Sequence, residues 1–158
     1  MRRRFGVTLA VTALLVAAPM AARADVTVSG AVAKPLTLTP AALAAEPQTS
    51  LHVEFNTEHG PQSADFAGVP LWSVLQQAGL VAGSAKGGKL RHGILVVGTD
   101  GYGALLSEGE LDPDFAGRQV ILALTQNGQP IKDGIRLVVP GDKKGGRSVR
   151  GVATIEVE

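Results

Sequence analysis

The stretch IRLVVPGDKKGGRSVRGVATIEV, Ile135 to Val157, sets two apolar strands on either side of a basic, glycine-rich loop. The first strand stops at Pro140-Gly141-Asp142. Lys143, Lys144, Gly145, Gly146 and Arg147 follow, and Ser148 and Arg150 lead into the second strand. Glycines free the backbone to take positive φ and to come close to a ligand. Consecutive N–H groups beside fixed positive charges make a concavity suited to phosphate or another anion. The same composition also describes a solvated loop joining two strands, so the rest of the chain has to decide.

Upstream of this stretch the dominant period is two, with short helical interruptions. Val26 to Gly30 alternates like an edge strand. Thr39-Pro40 supplies a helix N-cap and a first-turn proline ahead of Ala41 to Ala45. Ser50 to Asn56 alternates again, with Leu51, Val53 and Phe55 on one face and His52 and Glu54 on the other. A polar loop is expected from Thr57 to Phe66. Gly68-Val69-Pro70 opens the clearest helix, in which Leu71, Trp72, Leu75 and Ala78 recur at helical spacing and Gly79 ends it. Gly93 to Gly98 reads as a buried strand, with a turn at Asp100-Gly101 before Tyr102. Ser107 and Glu110 have the form of a capping box for a short helix that Asp112-Pro113 stops. Gln119 to Thr125, a turn at Asn127-Gly128, and Ile135 to Val139 complete the strands. Strands interrupted by short helices, without regular alternation, predict an α+β domain: a compact mixed β-sheet with short helices.

The first 24 residues read as a cleaved signal peptide. Arg2, Arg3 and Arg4 form a positive n-region, Phe5 to Ala18 an apolar core, and Ala22-Arg23-Ala24 an A-x-A cleavage site. Asp25 would become the mature N-terminus, and 25–158 a single domain. The expected location is periplasmic or secreted, by ordinary secretion, with the twin-arginine route as the alternative. No membrane anchor is expected to remain after cleavage. Removing four arginines from the 15 basic residues leaves 11 against 14 acidic ones. A mildly acidic protein with one basic loop is not built for nucleic acid. There is no cysteine, hence no disulfide, no thiolate ligand and no thiol nucleophile.

The order of several segments resembles the oxidoreductase molybdopterin-binding domain of the sulfite oxidase family. Thr39-Pro40-Ala-Ala-Leu43 and Phe66 to Leu80, FAGVPLWSVLQQAGL, are similar to its front half. Thr99-Asp100-Gly101-Tyr102, Leu106-Ser107 and Glu110-Leu111 resemble its middle. Leu137 to Gly141, Gly146 to Arg150 and Ile155 to Val157 resemble its end. The resemblance implies a fold with a β-grasp-like part and a site for a molybdopterin cofactor. It also implies that Gly146, Arg147, Ser148 and Arg150 grip the cofactor's phosphate and pterin end. Full family members add a cysteine that ligates molybdenum, about a dozen residues before the glycine of G-V-P-L. Here that position falls at or near Asn56. Gly151 stands where relatives commonly carry a tryptophan or another bulky residue.

Two further groups are candidates. Tyr102 would sit on the pocket wall with its hydroxyl toward a ligand. His52, Glu54 and His59 combine two imidazoles and a carboxylate, a plausible zinc or copper set beside the same pocket. No nucleophile–base pair, carboxylate dyad or nucleotide loop is present, so redox catalysis without the thiolate is doubtful. The leading expectation is an exported domain of oxidoreductase ancestry that binds a pterin or another small anion. The alternatives are a non-catalytic periplasmic module for a small ligand or a redox or binding partner, which the Val26–Gly30 edge would suit, and a metal-binding protein.

Overall fold

The structure, a computed structural model, describes residues 24–82 and 86–158. The expected signal peptide lies outside the described residues, apart from Ala24. Two sheets carry the chain. The first contains β1 (Val26–Gly30), β2 (Leu36–Leu38), β5 (Gly93–Gly98), β6 (Gly103–Ser107) and β10 (Val152–Val157), in the order β2-β1-β10-β5-β6. β1 runs parallel to β10 and every other pair is antiparallel. Central parallel terminal strands make the β-grasp arrangement that the resemblance implied. The second sheet orders β3 (Thr49–Thr57), β4 (Gly60–Pro70), β7 (Ile121–Gln126) and β8 (Gln129–Pro130), with β9 (Arg136–Val138) also on β7.

Local chemistry explains the short helices. α1 (Pro40–Ala45) starts where the Thr39 hydroxyl accepts a hydrogen bond from the Ala42 N–H at 3.1 Å. α2 (Leu71–Ala78) buries Leu71, Val74, Leu75 and Ala78, and ends where Gly79 takes φ +70°. The type I′ turn signal Asn127-Gly128 is met by positive φ at both residues, joining β7 to β8.

Two apolar clusters hold the sheets together. The larger gathers Val26, Val28, Ile94, Val96 and Ile155 of the first sheet with α2 and with Leu122, Leu124 and Leu137. The smaller gathers Val53, Ala64, Phe66, Ile121, Ala123, Ile131 and Val138. β7 therefore alternates between two dry faces, which is why its sequence is a continuous apolar run.

Three expectations are corrected. Val26 to Gly30 is not an edge, because β2 and β10 flank it, and no partner strand can add there. Thr57 to Phe66 is not a loop: a tight turn at Glu58-His59 folds it back as β4, paired with β3 from Gly60 to Gly68. Ser63 and Asp65 lie on the exposed face, Ala64 and Phe66 point inward, and the polar Gln62 continues the inward face beyond the buried core, an alternation hidden by high polarity. Finally, α3 (Glu108–Leu111) begins after Ser107, but no side-chain cap forms. Glu110 turns instead toward two arginines.

Candidate functional site

The basic loop lies against the tip of the β3–β4 hairpin. The Asn56 N–H donates to the Lys143 carbonyl at 2.9 Å, and Asn56 and Lys144 form a parallel bridge. Gly145 then passes over the Phe55 ring, where a Cβ would come within 3.1 Å. Between hairpin and loop opens a cleft of about 600 Å³, lined by Phe55, Asn56, Arg136, Lys144, Ser148 and Arg150, with Thr57, Glu58, Gly145 and Gly146 completing the wall. A second hollow of about 410 Å³ adjoins it at Phe55 and Asn56, and Lys143 and Glu54 line that one.

Four of the six residues expected to bind a cofactor line this cleft, Asn56, Gly146, Ser148 and Arg150, and Tyr102 stands behind its wall. The Tyr102 hydroxyl donates to the Gly146 carbonyl, so its polar tip fastens the loop rather than facing the cleft. Arg147 is placed differently. Its Nε and Nη2 donate to Asp142 at 2.8 and 2.6 Å, and its Nη1 donates to Glu110 at 3.0 Å. Arg118 approaches the same two carboxylates at 3.2 and 3.3 Å. Two arginines and two carboxylates neutralise one another, and all three nitrogens of Arg147 are spent on the loop's own clamp. The expected bidentate contact from Arg147 to a ligand has no free donor face in this arrangement.

Arg136, not Arg147, is the arginine on this part of the cleft wall. It is half-buried on β9, its Nε donates to the Ser148 hydroxyl at 2.8 Å, and its guanidinium stands 5.6 Å from the Phe66 ring centroid. The Ser148 hydroxyl in turn donates to the Leu137 carbonyl at 3.1 Å. Among the described residues no carboxylate reaches Arg136 within ion-pair distance, and Arg150 has only Asp133 at 4.0 Å. Burial lowers the Arg136 pKa first, and the like charge of Arg150 lowers it further. A positive group so placed gains most from a bound anion. The one signal for Arg136 was a lone arginine inside the apolar run Ile135 to Val139, which the period-two reading passed over.

The imidazole–carboxylate set expected to hold zinc or copper is not brought together. His52 Nδ1 is 2.6 Å from Asp65 and its Nε2 3.7 Å from Glu54, on the exposed hairpin face. His59 sits in the turn, several residues along the ladder. Among the described residues no three His, Asp or Glu side chains form a metal-holding group. The hydrogen bond from Asp65 raises the His52 pKa above 6.5, a surface pairing with solvent on every side. Gly151, where relatives carry a bulky side chain, takes φ +55°, and a Cβ would lie 2.8 Å from the Thr99 hydroxyl. It serves the backbone turn into β10.

The clamp carries a pH signature. Hydrogen bonding from Arg147 holds the Asp142 carboxyl below its ordinary value of 3.8. A depressed folded pKa means its stabilising contribution is complete above 3.8 and is lost as pH falls through the folded value. Asp142→Asn should lower the melting temperature at neutral pH and make the acid decline shallower. Calorimetry across the acid range reads both effects, and an unchanged acid limb would refute the assignment.

The family model for the oxidoreductase molybdopterin binding domain matches residues 15–158. The match thus begins inside the segment read as a leader. No curated protein sequence matches the chain. Among solved structures, the sulfane dehydrogenase SoxCD from Paracoccus pantotrophus superposes with a TM-score of 0.70 at 22% identity, covering 89% of this chain and 39% of that one. At that identity the likeness bears on the fold, and this chain spans well under half of its relative. With a family match over nearly the whole described domain and the same fold in SoxCD, the chain belongs to the oxidoreductase molybdopterin-binding domain family of sulfite oxidase type.

Proposed function

We propose that this chain is an exported anion-binding member of its family, in which the cleft between the β3–β4 hairpin and the basic loop grips the phosphate of a pterin or another small oxyanion. One observation carries the reading: Arg136 stands on the cleft wall with no carboxylate in ion-pair range, and Arg150 beside it meets only Asp133, at the 4.0 Å limit, while Arg118 and Arg147 are fully matched. Lys144 adds a third positive charge at the rim. The basic n-region and A-x-A site ahead of Asp25 support export to the periplasm.

The donor set fits only part of the family's cofactor. Arg136, Arg150 and Lys144 suit the phosphate-bearing end. The metal end would need a thiolate, and the hairpin tip offers the carboxamide of Asn56 in a chain with no cysteine. An amide oxygen is a weak, neutral ligand for a high-valent metal beside a thiolate. The residues therefore do not fit a molybdenum centre, and redox catalysis at molybdenum is no part of the proposed function.

The test is made on purified chain from a molybdenum-sufficient host. Phosphate and pyrophosphate are titrated calorimetrically, and molybdenum and oxidised pterin are quantified per chain. The expected result is saturable, salt-sensitive anion binding with molybdenum far below one atom per chain. Firmly held stoichiometric molybdenum would overturn the non-catalytic reading. Absence of any anion binding would overturn the grip itself, and would favour a module for a protein partner.

A further inference from the structure

The outer strands of the two sheets are not protected alike; β9, beside β8 on the outer side of β7, carries Arg136. β2 is three residues long and lies between Pro35 and Pro40. β8 is two residues long and contains Pro130. β3 carries His52 and Glu54 and is bridged at its far end by Lys144 of the basic loop. β6, Gly103-Ala104-Leu105-Leu106-Ser107, has neither charge nor proline. Natural sheets blunt their edges with such devices because an unpaired edge is a template for another strand.

The hydrogen-bond phase of β6 follows from its two ends. The Gly98 N–H donates to the Tyr102 carbonyl and the Glu108 N–H donates to the His92 carbonyl, at 2.9 and 3.0 Å. In the antiparallel register of β5 and β6, bonded pairs then alternate, and Ala104 and Leu106 face β5. Gly103, Leu105 and Ser107 direct their N–H and C=O groups outward. Among the described residues no backbone hydrogen bond from beyond the β5–β6 ladder reaches them. The side chain of Leu105 is 56% exposed on the same strand.

We propose that β6 is the contact strand of a symmetric dimer, pairing antiparallel with β6 of a second copy of this chain. The outward residues are arranged symmetrically about Leu105. Leu105 of one copy faces Leu105 of the other, and Gly103 faces Ser107, so every outward group finds a partner in one register. About six backbone hydrogen bonds would form. With no charge between Gly103 and Ser107, two copies meet without repulsion, as an isologous contact requires. The two first sheets become one continuous sheet across the dyad.

A cysteine-free chain allows a clean test. In the proposed register the two Leu105 Cα atoms lie about 5.5 Å apart, within the span a disulfide bridges. Leu105→Cys, treated with a mild oxidant, should give a covalent dimer rapidly and nearly completely. Gln76→Cys, on the exposed face of α2, should stay largely monomeric under the same treatment. Light scattering of the unmodified chain should report twice the chain mass at high concentration. Leu105→Pro removes only an outward N–H, and should restore single-chain mass with the circular dichroism spectrum unchanged. Unmodified chain that stays monomeric, or equal crosslinking of both cysteine variants, would overturn the proposal.

Discussion

Replacing Arg136 with glutamine is expected to weaken binding of phosphate or pyrophosphate by roughly 10- to 100-fold, the largest loss of any substitution at the cleft. The estimate comes from about 1.5–3 kcal/mol for a hydrogen bond involving a charged group, at about 1.4 kcal/mol per tenfold. Arg136 leads because it is half-buried and already fixed by Ser148, so little side-chain entropy is lost on binding. Arg150 is more exposed and already meets Asp133 at 4.0 Å, and Arg150→Gln should cost less. Arg147→Gln should differ in kind: it leaves Glu110 and Asp142 without their main partner, lowering the melting temperature more than the affinity. Titration calorimetry beside thermal melts separates the three variants. Equal affinities for Arg136→Gln and the parent chain would remove the central support for the proposed site.

The largest effect on stability is expected at Gly68. A Cβ built there would lie 2.0 Å from the Leu122 carbonyl oxygen and 2.5 Å from the Ala123 Cα, both backbone atoms of the neighbouring strand. Gly68 sits at the register irregularity between β4 and β7. Gly68→Ala must therefore push the strands apart or break the ladder, since neither neighbour can swing away. A cost of at least about 3 kcal/mol follows for such overpacking, or about 10 °C in melting temperature for a domain of this size. Because β4 also carries the hairpin that ends at Asn56, anion affinity should fall with stability. A variant that melts within a few degrees of the parent would contradict the packing described. The glycine of the G-V-P-L segment thus has a steric reason independent of any ligand.

Legibility from sequence followed the strength of the local signals. α2 was readable because its apolar residues recur at helical spacing and a left-handed glycine closes it. The β7–β8 turn was readable because Asn-Gly has one dominant use between apolar runs. The outer half of the β3–β4 hairpin was not, because residues 57–63 bury no apolar side chain and their alternation leaves no hydrophobic trace. The position of β1 inside its sheet was hidden as well: both neighbours are fixed by pairing across the chain, and alternation alone is the same for edge and interior strands. At the site, residue type identified a basic loop but not which arginine was already taken. Glu110 and Asp142 lie far from each other in sequence, so only folding reveals that they neutralise Arg147 and leave Arg136 and Arg150 to the cleft.

The place of β10 between β1 and β5 has a consequence for the order of events in synthesis. The strand that joins the two halves of the first sheet, β10, is made after all of its neighbours in that sheet. Until then, β1–β2 and β5–β6 are separate hairpins with two extra bare edges, held only by long-range contacts that form late. A nascent chain of this topology cannot close its first sheet until β10 has been made, and that sheet stays open for the same interval. Completion of the six-residue β10 closes the sheet and fixes the basic loop in one step, so fold and cleft are acquired together.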